Sequence, residues 1–174
     1  MKLINRLTST VLASIITLTT SISAVSNAVS LYVDNDDPIY QNYQSGFNTY
    51  LTSANYYRGD ARQQSPSYSS CEYKWGPNTY YTSSVINVTL YVYLNDFSFT
   101  DPAAQYRAKA TTTWDNFLAF NQNTAPSTWC YVGNINLTPF PGMGSTVTFE
   151  CIQLNPSGSS GCSTGADGVY MIYT

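Results

Sequence analysis

The segment 85–94 constrains this chain most. Ile86, Val88, Leu90, Val92 and Leu94 recur at every second position, with Asn87, Thr89, Tyr91 and Tyr93 between them. That period predicts a strand with one face in a core and the other turned outward. Segment 104–111 repeats the logic, with Ala104, Tyr106, Ala108 and Ala110 alternating with Gln105, Arg107, Lys109 and Thr111. Its alanines would suit a helix, but the period of two and the following run of threonines predict a strand. Segment 145–154 sets Val147, Phe149 and Cys151 on one face, and segment 71–75 turns Cys71, Tyr73 and Trp75 inward with Glu72 and Lys74 outward. Val169 to Tyr173 reads as a short terminal strand. Turn signals fall at Asp101-Pro102, at 139–144 and at 155–168. Strands spaced by turns, with no linker or repeat, predict one all-β domain: a β-sandwich, specifically a jelly roll.

The first thirty residues stand apart from that pattern. Lys2 and Arg6 open a short basic region, residues 7–18 form an apolar run diluted by Ser and Thr, and small residues follow. This is the layout of a secretory signal cleaved after Ala28, giving a signal over 1–28 and a domain over 31–174. A membrane anchor is the competing reading, but a span needs about 20 strongly apolar residues and this run falls short. The expected product is secreted, with no membrane contact after cleavage.

Charge and residue choice exclude several functions. Only 10% of residues are charged, against a usual ~25%. The balance of 7 basic to 10 acidic residues becomes more acidic once Lys2 and Arg6 leave with the signal. Such a chain does not bind nucleic acid through phosphates. It has no histidine, which removes Ser-His-Asp and Cys-His catalysis and imidazole metal sites. Its 16 Tyr, 7 Phe and 3 Trp supply a core and argue against disorder. Four cysteines in an exported chain favour two disulfides. Three connectivities are open; the expected one joins Cys151 to Cys162 across a Gly/Ser-rich loop, leaving Cys71 with Cys130.

Several segments, taken in order, resemble a known family. Val33-Asp34-Asn35-Asp36-Asp37-Pro38, then Gly46-Phe47, then Tyr56-Tyr57-Arg58-Gly59-Asp60-Ala61-Arg62 are similar to the opening of the golvesin and xanthan-lyase carbohydrate-binding-like domain. Ala104-Gln105-Tyr106-Arg107-Ala108, Phe120-Asn121-Gln122, Trp129-Cys130-Tyr131-Val132-Gly133 and Ala166-Asp167-Gly168-Val169 resemble its later elements. Val132, Gly168 and the four cysteines depart from its pattern. The resemblance implies a galactose-binding-like jelly roll of the kind appended to secreted bacterial enzymes and surface proteins.

Candidate sites follow. Asp34, Asp36 and Asp37 lie beside the first strand and Asp167 before the last, and terminal strands of a jelly roll lie close together. Those carboxylates, with Asn35, are the oxygen donors calcium prefers, so a structural calcium ion is one expectation and Asx-turn capping the other. Tyr56, Tyr57, Tyr80 and Tyr81, with Arg58, Asp60 and Arg62 nearby, are the expected sugar platform, since a pyranose stacks its C–H face on a ring while polar groups take its hydroxyls. Trp75 and Trp129 are expected in the core. Arg58-Gly59-Asp60 is read as structural, with Arg58 or Arg62 paired to a carboxylate. Asn87-Val88-Thr89 and Asn136-Leu137-Thr138 are glycosylation sequons that matter only in a eukaryotic host. Glu72 and Glu150 are the only glutamates, expected to point outward, so a two-carboxylate glycosidase is disfavoured. The expected function is a monomeric, non-catalytic module that binds polysaccharide or cell-wall glycan. A protein-binding adhesive module is the alternative, and a small lyase or hydrolase the less favoured one.

Overall fold

The structure is a computed structural model. It describes residues 28–37, 40, 42–64, 71–77, 81–94, 98–110, 117–124, 128–139, 142 and 144–174. The expected signal, apart from Ala28, and the expected platform residue Tyr80 lie outside them.

In chain order the strands are β1 (Val29–Val33), β2 (Tyr43–Ser45), β3 (Thr49–Thr52), β4 (Asp60–Gln63), β5 (Glu72–Trp75), β6 (Tyr81–Ser83) and β7 (Ile86–Leu94). They continue with β8 (Ala104–Ala110), β9 (Leu118–Phe120), β10 (Thr128–Leu137), β11 (Val147–Asn155), β12 (Gly165–Ala166) and β13 (Val169–Tyr173). Among the described residues only two short 3-10 turns, Tyr57–Gly59 and Gln122–Thr124, break this all-β pattern. One sheet has the order β1-β13-β7-β10, so the first and last strands pair as expected. A second runs β2-β5-β11-β8-β9, with β6 also on β11, and a third, smaller one runs β12-β4-β3. Every pairing is antiparallel.

The alternating residues of the two long predicted strands bury as their period requires. Ile86, Val88, Leu90, Val92 and Leu94 of β7 are buried, as are Ala104, Tyr106, Ala108 and Ala110 of β8. They join Tyr73 and Trp75 of β5, and Cys71 just before it, in one apolar cluster fed by the inward faces of both larger sheets. In β11 simple alternation fails. Phe149 pairs with Ala110, yet Ile152 pairs with Ala108, so three steps on β11 match two on β8. This bulge carries the inward face from Phe149 to Ile152 and Leu154, and turns Cys151 to the side of Lys109.

Three buried polar groups tie the loops to this core. Gln122 donates from Nε2 to Tyr106 Oη (2.7 Å) and Gly165 O (2.9 Å), and its Oε1 accepts from Gly165 N (2.9 Å). Trp75 Nε1 donates to Asp167 O at 2.8 Å. Asp101 accepts from Ala103 N (3.0 Å), Ser157 N (2.9 Å) and Thr164 Oγ1 (2.6 Å), joining the β7–β8 and β11–β12 loops at a residue 1% exposed.

Neither expected disulfide, Cys151–Cys162 or Cys71–Cys130, is found among the described residues. Cys130 faces inward from β10 opposite Val92, whereas Cys71 abuts Gly46 just before β5 in the other sheet. The β11 bulge puts Cys151 on that strand's outward side, and Cys162 turns toward Ser160 O within its own loop.

Candidate functional site

The feature that separates this surface from an ordinary polar sheet face begins with registry. On the outer face of the four-stranded sheet, Tyr32 of β1 is opposite Tyr170 of β13, Tyr170 is opposite Tyr91 of β7, and Tyr91 is opposite Tyr131 of β10. Four tyrosines therefore form a row across all four strands, three interstrand steps of about 4.8 Å each. Their ring centroids are 4.1 Å (Tyr32–Tyr170), 5.5 Å (Tyr91–Tyr170) and 5.5 Å (Tyr91–Tyr131) apart, contact distances for aromatic pairs. Tyr32 is 44% and Tyr131 52% exposed, so the two ends of the row stand open.

Trp129 and Tyr93, opposite one another on β10 and β7, extend the row. Trp129 lies 5.4 Å from Tyr32, 5.3 Å from Tyr93 and 6.0 Å from Tyr170. Tyr57 closes this end at 5.0 Å from Trp129. The four strands carry no Lys, Arg, Asp or Glu, so the rings sit on an uncharged face edged by Thr89, Asn87 and Asn136. The two sequon asparagines, Asn87 and Asn136, are register partners and both exposed.

The expected platform is thus partly corrected. Tyr57 joins the aromatic face, but Tyr56 is 6% exposed and packs in the core against Phe99. Tyr81 leans on Tyr173 at 4.9 Å, away from the row. Trp75 is a core residue as expected, 1% exposed, whereas Trp129 is half-buried on the outer face. The reason is a second bulge. Register shifts between Tyr131 and Gly133, so Trp129 and Tyr131 face outward while Cys130, Ile135 and Leu137 face inward.

A second cluster sits at the end of β1. Asp34, Asp36 and Asp60 each offer an oxygen within 4.8 Å of the others. Burial pushes the Asp34 carboxyl up to about 6, helped by the charges of Asp60 and Asp36 against a hydrogen bond from Asn35 N (2.9 Å). Burial likewise raises Asp60, with Asp36 adding to it. The expected metal set changes accordingly. Asp37 is taken by Arg58, whose Nη1 donates to its Oδ2 at 2.9 Å, as expected for a structural arginine. Asp167 instead receives Tyr57 N at 3.1 Å on both oxygens, fixing the turn that presents Tyr57. Burial drives Asp167 up to about 8. Asp60, assigned from sequence to sugar binding, replaces them beside Asp34 and Asp36. Arg62 lies 4.3 Å over the Tyr50 ring.

The two glutamates are engaged elsewhere. Glu72 meets Lys74 Nζ at 2.7 Å and accepts from Gln153 Nε2 at 2.8 Å, and Glu150 lies 3.9 Å from Lys109 Nζ.

No protein-family model and no curated protein is similar enough to match this sequence. Among solved structures, a xanthan lyase from Paenibacillus is similar over 82% of this chain, with a TM-score of 0.55 and 14% identity. This chain spans 13% of that protein's length. A Stig cyclase from Fischerella sp. TAU aligns over 83% of the chain at 15% identity, but its TM-score of 0.36 is too low to support an argument. What the first likeness establishes is the fold: this all-β arrangement of antiparallel sheets occurs as one part of a much longer protein.

Proposed function

We propose that this chain is a secreted, non-catalytic module that binds neutral polysaccharide on the aromatic face of its four-stranded sheet. In this reading, residues 1–28 are the export signal. Residues 31–174 form a jelly-roll β-sandwich of the golvesin and xanthan-lyase carbohydrate-binding-like type. The likeness to part of a xanthan lyase supports the architecture.

The observation that carries the reading is the row Tyr32, Tyr170, Tyr91 and Tyr131, continued by Trp129, Tyr93 and Tyr57. The open rings at the ends of the row, Tyr32 and Tyr131, offer apolar surface to the C–H face of a sugar, and tyrosine hydroxyls along the row are hydrogen-bonding groups for its hydroxyls. A linear row suits a chain of sugars better than a single one. The lack of charge on the strands favours a neutral polymer; the one cation at the Tyr57 end of the face, Arg58, is paired with Asp37. The missing histidine and the engaged glutamates support binding over catalysis.

The bland alternative is that cross-strand rings only stabilise the sheet. The exposure of Tyr32 and Tyr131 favours a binding role, since a purely structural pair gains most when both rings are covered. One feature favours a second reading, a protein partner: the rings lie on a sheet face instead of in a cleft, as docking surfaces do. Depletion assays with insoluble and soluble neutral glucans, mannans and xylans, run beside acidic polysaccharides, separate the two. Retention on a neutral polymer supports the proposal. Retention on none, or only on acidic polymers, rejects it.

A further inference from the structure

We propose that Asp34, Asp36 and Asp60, with the side-chain oxygen of Asn35, form a calcium site at the corner between β1 and β4. The proposal does not depend on a sugar ligand.

Three carboxylates within 4.8 Å of one another are a crowded charge that begs a counter-ion, but crowding alone would not make a site. Asn35 supplies the independent sign. It is 2% exposed, and its Oδ1 has no hydrogen-bond partner. The amide group leans on the Asp60 carboxylate, which the Tyr50 hydroxyl also approaches, so the side chain is held in the cluster while its oxygen is left over. A buried amide oxygen left unsatisfied costs free energy, and natural proteins avoid it unless something occupies the space. The backbone around it is fixed: Asn35 N donates to Asp34 Oδ1, and Tyr73 Oη donates to Asn35 O. The amide is therefore held in the cluster, not swung into it by chance.

Nearby cations do not neutralise the group. Arg58 Nε approaches Asp34 only to 4.0 Å and spends its close contact on Asp37. Arg62 covers the Tyr50 ring. The donors are all oxygens, which suits a hard cation. Calcium fits better than magnesium, because it accepts six to eight oxygens in flexible geometry where magnesium demands a near-ideal octahedron. Water completes the shell. Asp36 is exposed, and Asn35 and Asp36 line an open cavity of about 290 Å³ with Tyr40, Tyr43 and Arg62. An ion there would join the end of β1 to the start of β4, immediately after the turn that carries Tyr57 onto the aromatic face.

The test uses the full chain, stripped with EGTA, desalted and titrated with calcium chloride by calorimetry and thermal unfolding. The expected result is one calcium per chain with a Kd below about 1 mM. Tm should rise by about 8 °C at a hundredfold excess over Kd. Asp36→Asn, at the exposed donor, should weaken binding at least tenfold and leave the EGTA-treated Tm equal to or above the parent's, since it removes a like charge beside Asp34 and Asp60. Asn35→Ala should also weaken binding at least tenfold, yet leave the EGTA-treated protein as stable as the parent or more so, since it removes an unsatisfied buried amide oxygen. No heat and no Tm shift at millimolar calcium, with the near-UV circular dichroism of a folded chain, would overturn the proposal. So would an Asn35→Ala variant that loses stability in EGTA but keeps its calcium affinity. Magnesium chloride giving an equal shift at equal concentration would overturn the assignment to calcium.

Discussion

Replacing Asp101 with asparagine isolates what holds the loops on this fold. The side chain is 1% exposed and accepts three hydrogen bonds, one on Oδ1 from Ala103 N and two on Oδ2 from Ser157 N and Thr164 Oγ1. Asparagine keeps the volume and the Oδ1 bond, but it presents an NH₂ group where Oδ2 stood. The Thr164 hydroxyl can rotate to accept; the Ser157 N–H cannot. One buried donor is then unsatisfied, at about 1–3 kcal/mol, and the charge-assisted bond to Thr164 falls to an ordinary one, at about 1 kcal/mol. The sum is about 3 kcal/mol, a large part of the 5–15 kcal/mol typical of a domain. Urea unfolding at pH 7 measures it.

Acid supplies an internal control. Burial alone would raise the Asp101 carboxyl, but the hydrogen bonds from Ser157, Thr164 and Ala103 outweigh it and hold it below the ordinary value. A carboxyl depressed in the folded state stabilises fully above its unfolded value of about 4, and that stability is lost as pH falls through the folded value. The gap between wild type and Asp101→Asn should therefore narrow below pH 4. A difference under about 1 kcal/mol at pH 7, or a gap that does not change in acid, would refute the account of Asp101 as a charged loop anchor.

Asp167 has the opposite sign: raised to about 8 by burial, it favours folding in its protonated form. That contribution is complete below about pH 4 and is lost as pH climbs through about 8, so Tm of chelator-treated protein should fall across this range and flatten in Asp167→Asn. Gly165→Ala would set a Cβ 2.2 Å from the Phe99 ring, so urea unfolding should show a loss of about 3 kcal/mol. Trp129→Ala should leave the core cluster intact but weaken polysaccharide binding by about tenfold or more in depletion assays, because the ring lies on the outer face.

Alternation made β7 and β8 readable, because neither strand is interrupted and every second residue is apolar. The same rule fails wherever one residue is inserted. In β10, Trp129, Tyr131, Gly133, Ile135 and Leu137 share a parity, and a strand without a bulge would place them on one face. The extra residue at Val132 splits them, so the ring that anchors the aromatic face looked like core. The bulge in β11 hides Cys151 in the same way. The acidic corner was legible as a cluster but not in membership. Asp34 and Asp36 are near in sequence, whereas Asp60 arrives through the small β12-β4-β3 sheet, whose short strands lack a clear period. Neighbouring tyrosines carry no parity signal of their own. Tyr56 enters the core and Tyr57 the surface because the turn at Tyr57–Gly59 changes the chain's direction between them.

Affinity electrophoresis tests the central claim most directly, comparing the wild-type chain with the Tyr32→Ala/Tyr131→Ala double variant in gels containing a soluble neutral polysaccharide. Both positions are exposed ends of the row, so the variant should fold normally. The account predicts that the wild type is retarded and that the variant runs as it does without polysaccharide. Equal retardation of the two proteins, or no retardation of the wild type in any neutral polymer, would contradict it.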